Sequence, residues 1–141
     1  MDALTFLSNH VALFEGVSIR ELTELAVNST LRQLAPGQVA VRAGMTVDDL
    51  HVVAVGKVEV HAKVADKGVK LVGELGPGEV FGETSLLEKS VAGATVKAGE
   101  GGAVVLLIPE SPFQGLIAGN EAFAARVRSL IQSRRSSPSG A

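Results

Sequence analysis

Between Leu31 and Ile108 the chain is a succession of short alternating segments punctuated by glycine, and that pattern admits few folds. Leu34-Ala35-Pro36-Gly37-Gln38 has the residues of a turn, Val39 and Val41 alternate with Ala40 and Arg42, and Ala43-Gly44 begins another turn. Leu50 to Val55 leads to a turn at Gly56. After it, Val58, Val60, Ala62 and Val64 fall on one face and Lys57, Glu59, His61 and Lys63 on the other. Asp66-Lys67-Gly68 fits a hairpin turn before a strand over Val69 to Leu75. Ala94 to Ala98 alternates again, and the apolar Ala103 to Ile108 is short enough for a buried strand. Strands at roughly 8–12 residue spacing predict a compact antiparallel roll or barrel.

Helical periodicity brackets this region. Ala3, Leu4, Phe6, Leu7, Val11, Leu13 and Phe14 crowd one stripe, Gly16 interrupts it, and Ser18 with Glu21 forms a capping box for a second helix bearing Ile19, Leu22, Leu25 and Ala26. After Pro109, Ser111 is expected as an N-cap with Pro112 at the first helical position, and Phe113, Leu116 and Ile117 share a face before Gly119. A last helix from near Asn120 places Phe123, Val127, Leu130 and Ile131 on one side. Arg126, Arg128, Arg134 and Arg135 lie mostly on the other, and the basic end reads as a solvated helix C-terminus. The apolar stripe can pack on its own roll or on a second copy, which leaves a homodimer open.

A length of 141 residues suits one domain with one core. The expected division is a helical region over 1–30, a β-roll over 31–108, C-terminal helices over 109–135, and a flexible tail over 136–141. With 13 Lys and Arg against 15 Asp and Glu, no basic field exists to hold a nucleic-acid backbone. Cysteine is absent, which excludes a disulfide framework, a thiolate zinc site and a cysteine nucleophile. The longest apolar run has six residues, against ~20 for a membrane span. The first residues lack the basic start of a signal peptide, so the expectation is a cytoplasmic protein. His10, His51 and His61 are scattered and predict no metal site. Ser85 lacks a Gly-x-Ser-x-Gly setting, and Pro77 spoils a dinucleotide glycine pattern.

One stretch carries a more specific signal. From Gly78 to Ala98 the chain reads as turn, one helical turn, loop and strand. Gly82 precedes the helical residues, and Glu83 sits in the first turn, where free N–H groups favour a negative neighbour. The stretch resembles the phosphate-binding cassette of cyclic-nucleotide-binding domains, whose usual form is Phe-Gly-Glu, small or apolar residues, a spacer, then Arg-Ala-Ala-Thr and a strand. Phe81-Gly82-Glu83 matches the first half, and Gly93-Ala94-Thr95-Val96 falls on the end of the second. The family's arginine falls on Ala92. Leu13-Phe14-Glu15-Gly16-Val17, the Pro36-Gly37 turn and the hairpin through Gly56 are similar to the family as well, so the likeness extends over residues 4 to 135.

The resemblance implies an α+β fold, an antiparallel β-roll of jelly-roll-like, double-stranded β-helix form, flanked by N- and C-terminal helices. It implies a free-standing module without the helix-turn-helix reader of the related bacterial transcription factors. It places the backbone of Gly82, Thr84 and Ser85 at a cyclic phosphate, Glu83 on the ribose 2′-hydroxyl, and Ala92 and Gly93 where an arginine and a hydroxyl residue would otherwise stand. Lys89, in the same loop, is the candidate substitute countercharge. The residues alone leave Glu83 equally open to a purely helix-stabilising role. Two functions follow. One is a non-enzymatic regulatory module sensing cAMP, cGMP or a relative with weakened or altered affinity and signalling to a protein partner. The other is a degenerate domain that binds no nucleotide and acts in protein–protein interaction. Neither needs a cofactor.

Overall fold

The computed structural model describes residues 2–135. The expected tail over 136–141 lies outside the described residues.

Asp2 caps α1 (Ala3–His10) by accepting the Thr5 N–H at 2.7 Å. The single stripe expected up to Phe14 is broken at Val11, which is extended and buried, and Ala12–Phe14 forms a separate 3-10 turn. Ser18 and Glu21 make the expected capping box at the start of α2 (Ile19–Val27).

Six strands follow in one antiparallel sheet: β1 (Thr30–Leu34), β2 (Val39–Val41), β3 (Asp49–Val64), β4 (Gly68–Leu75), β5 (Val80–Phe81) and β6 (Thr95–Pro109). The main order is β1-β6-β3-β4, with β2 paired to β6 and β5 to β3. Two expected breaks are absent. Gly56 is not a turn: β3 runs through it, with pairing against β6 shifting between Gly56 and Val58. Likewise the segments expected over Ala94–Ala98 and Ala103–Ile108 are parts of one strand, β6. The glycines are ladder irregularities. At Gly56, φ is 79°, and an added Cβ would lie 2.4 Å from the Gly102 carbonyl oxygen, so the two long strands approach too closely for any side chain there.

The six-residue α3 (Glu83–Glu88) lies between β5 and β6. Near the C-terminus, β6 continues to Pro109 and α4 spans Glu110–Gly119, so that Ser111 and Pro112 fall inside the first turn rather than at its boundary. A proline is tolerated there because N–H groups in a first helical turn have no intrahelical acceptor. α5 (Glu121–Arg135) begins at Asn120, whose Oδ1 accepts the Phe123 N–H at 3.0 Å.

One core joins these layers. Phe123 of α5 stacks on Phe14 at 5.5 Å and meets Phe113 of α4 edge-on at 6.0 Å, which fastens the C-terminal helices to the N-terminal ones. Phe123, Val127 and Ile131 are all buried, so the apolar stripe of α5 is used within its own chain. The protein is thus an antiparallel β-roll flanked by helices at both ends of the sequence. Among the described residues, no helix is long and apolar enough to cross a membrane.

Candidate functional site

The cassette hangs from β3. β5 pairs with it at His51 and Val52, and two further bonds, Gly78 N–H to the Val53 carbonyl and Val53 N–H to the Glu79 carbonyl, hold the preceding turn. At Gly82 the chain swings to φ 93°; a Cβ would lie 3.1 Å from both the Asp49 carbonyl oxygen and Val47 Cγ1. Only glycine satisfies that conformation and that space. α3 then starts with Glu83 and ends at Lys89, itself left-handed at φ 54°, whose N–H bonds the Ser85 carbonyl. From α4, Gln114 Nε2 donates to the Leu86 carbonyl at 2.7 Å and ties the short helix down.

The returning loop runs close against the turn that follows β2. Val91 is exposed and Ala92 buried; the Ala92 N–H donates to the Met45 carbonyl at 2.9 Å, and its own carbonyl accepts from the Gly44 N–H at 2.8 Å. Gly82, Ser85, Ala92 and Gly93, four of the residues expected at a ligand, come together around a cavity of ≈ 10 Å³. Its other walls are Val41, Val47, Phe81, Ala94 and Val96. Thr84, half-buried, Glu83 and the exposed Lys89 do not line it.

Glu83 is fully buried and faces the last helix. Its Oε1 accepts from Arg134 Nη1 at 2.5 Å, and its Oε2 from Thr84 Oγ1 at 3.0 Å. Burial pushes the Glu83 carboxyl upward, and the Arg134 guanidinium, the next largest influence, pulls it back. Next along the helix, Arg135 bonds Glu88. The basic end of α5 is therefore not the solvated terminus expected from the sequence: the Arg134 side chain is 12% exposed and docked on the cassette. Nothing in the spacing of residues 83 and 134 announces that pair. Arg134 also borders a hollow of ≈ 270 Å³ between the Ala12–Leu13 turn and Gly78–Val80.

His51 is a second residue that sequence reasoning missed as part of this region. Its ring is buried and stacks on Phe81 at 4.6 Å, and Nδ1 lies 3.1 Å from the Asp49 carbonyl. Burial pushes its pKa down to about 4, so at neutral pH the ring is uncharged. The available signal was its position inside the apolar run Leu50-His51-Val52-Val53. His61 instead pairs with Glu59 at 3.0 Å, and His10 stacks on Phe6. Among the described residues no group of three His, Cys, Asp or Glu could hold a metal ion.

A family model described as the cyclic nucleotide-binding domain matches residues 31–120. A cAMP-dependent protein kinase regulatory subunit from Mycosarcoma maydis is 32% identical over 88 residues, which cover 62% of this chain and 17% of that protein. Among solved structures, the Thermus thermophilus catabolite activator protein superposes with a TM-score of 0.75 at 26% identity, covering 88% of this chain and 58% of the other. The regulatory domain of Toxoplasma gondii PKA, crystallised with cAMP, gives a TM-score of 0.77 at 20% identity over 95% of this chain and 48% of the other. The chain spans less than a third of the length of the curated relatives it matches.

Proposed function

The chain belongs to the cyclic nucleotide-binding domain family, and from that premise we propose that it is a non-enzymatic regulatory module whose cassette receives a cyclic nucleotide or a relative and reports it through the last helix. The observation that carries this reading is the buried Glu83–Arg134 pair. In the family's scheme the cassette glutamate accepts the ribose 2′-hydroxyl. Here the same carboxylate holds the end of α5. A ribose hydroxyl and the guanidinium compete for Glu83, so ligand binding frees Arg134 and changes the surface that α5 offers to a protein partner. The backbone of Gly82, Thr84 and Ser85 supplies the polar contacts, and affinity is weak because Ala92 brings no guanidinium.

Titration calorimetry with cAMP, cGMP and cyclic dinucleotides tests the proposal. It requires saturable heat with at least one of them, its loss in Glu83→Ala, and tighter binding in Arg134→Ala, where the competitor is gone.

A second reading is favoured by the cavity itself. At ≈ 10 Å³ with mostly apolar walls, and with both Glu83 oxygens bonded internally, the cassette also suits a domain that keeps the fold for protein–protein contact and binds no nucleotide. Absence of heat with every nucleotide, together with an unfolding midpoint that none of them raises, selects that reading.

A further inference from the structure

We infer that the hollow between the Ala12–Leu13 turn, the Gly78–Val80 turn and α5 is a second ligand site, separate from the cassette cavity, and that it takes a small carboxylic acid with a branched apolar tail. Its volume is ≈ 270 Å³, against ≈ 10 Å³ in the cassette cavity, and the two share no wall residue. That is just under the ~300 Å³ at which pockets for drug-sized ligands begin, so the occupant is smaller than a nucleotide.

The walls are apolar and fixed. Val80 is buried in β5, and Leu13 and Leu130 are partly buried against the core. The Gly78 turn sits directly on the end of α1: at φ 89°, an added Cβ there would lie 2.2 Å from the His10 carbonyl oxygen. Ala12 and Glu79 are exposed, so the hollow opens to water on their side, where solvent screens the Glu79 charge.

Arg134 supplies the polar end. A guanidinium has five N–H donors, and among the described residues this one gives a single hydrogen bond, from Nη1 to Glu83. The side chain is only 12% exposed, so its remaining donors have lost most of their water without gaining a protein acceptor. A carboxylate matches that planar fork with charge-assisted bonds that a neutral amide cannot equal, whereas an amine meets like charge. Because Glu83 already balances the guanidinium, the added negative charge has to stay partly hydrated, which the open side of the hollow allows. The tail then packs among Leu13, Val80 and Leu130.

Calorimetry of the wild-type chain with isocaproate, isocaproamide and isohexylamine, ligands of one shape and three charges, tests the site. The acid should bind saturably and at least tenfold tighter than the amide, and the amine should not bind. Leu130→Phe, which fills the hollow and keeps the guanidinium, should abolish binding of the acid, and the wild-type series decides the matter whether or not that variant folds. Equal affinity for acid and amide, saturable binding of the amine, no binding of the acid, or undiminished binding by folded Leu130→Phe overturns the inference. Cyclic nucleotides titrated into the same samples report on the cassette separately, so failure here leaves the sensor reading standing.

Discussion

Arg134 Nη1 lies 2.5 Å from Glu83 Oε1, joining the last turn of the last helix to the first turn of the cassette helix across 51 residues of sequence. Both side chains are largely removed from water. A buried pair of this kind adds little net stability over an apolar replacement, but removing one partner is costly because the other is left charged and unsatisfied.

Arg134→Ala should therefore destabilise the protein by about 3 kcal/mol at pH 7. The deficit should shrink on acidification. An orphaned buried carboxyl has its folded-state pKa raised, so its stabilising contribution is present at low pH and is lost as pH rises. Chemical denaturation of the variant at pH 5 and pH 7 measures this, and Glu83→Gln combined with Arg134→Ala should remove the pH dependence. Equal deficits at the two pH values would contradict a buried charge at Glu83.

His51 predicts the opposite slope. Its folded-state pKa of about 4 lies below the usual 6.5, so the unfolded chain binds the extra proton first. Stability from this residue is complete above about pH 6.5 and is lost as pH falls toward 4, with about 2 kcal/mol of the change between pH 7 and pH 5. Replacing the ring with an uncharged aromatic, His51→Phe, should flatten that part of the stability profile while keeping the stack on Phe81. Urea titrations of both proteins over pH 4–8 provide the comparison.

Three glycines separate backbone strain from lack of space. Gly37, Gly82 and Gly56 all have positive φ, at 76°, 93° and 79°. A Cβ meets nothing within 4 Å at Gly37, atoms at 3.1 Å at Gly82, and a carbonyl oxygen at 2.4 Å at Gly56. Alanine at Gly37 should cost about 1 kcal/mol, the strain alone. Gly82→Ala should cost about 2 kcal/mol, and Gly56→Ala more than either, because the close neighbour is backbone and cannot rotate away. Thermal unfolding of the three variants gives the order, and equal midpoints would refute it.

Asn120→Ala removes the cap on α5 and two contacts to Glu21, at 3.3 and 3.2 Å. The expected loss is about 1–2 kcal/mol. A double-mutant cycle with Glu21→Ala should show coupling between the two positions, and additive effects would mean that the contact is idle.

The strands, both terminal helices and the outline of the cassette were legible because they rest on local patterns: alternation at Val58-Val60-Ala62, the Ser18–Glu21 box, and Gly82 before a helix start. What failed was the reading of glycine. Gly56 and the Gly99–Gly102 run carry turn chemistry, yet β3 and β6 pass through them. A bulge and a turn use the same residue, and only the partner strand distinguishes them. The site divides the same way. Gly82, Ser85, Ala92 and Gly93 meet at one cavity, as their places in a single short segment allow, whereas Arg134 reaches Glu83 only through the packing of α5 on Phe14 and Phe113. Periodicity assigned Arg134 to the outer face, and the long reach of its side chain brought it back inside.

The two ends of α5 are held by different contacts. Its first half is held to the N-terminal helices by Asn120 on Glu21 and by Arg126, whose Nη1 donates to the Leu13 carbonyl at 3.2 Å. From Arg126 to Arg135 the helix extends about 14 Å, at 1.5 Å per residue; Val127 and Ile131 pack it on the core, and two carboxylates of α3 bond Arg134 and Arg135 at its charged end. A tilt of about 10° at that fulcrum carries the tip about 2 Å, enough to part a hydrogen bond. Under the proposed function, an event confined to one carboxylate becomes a displacement at the surface.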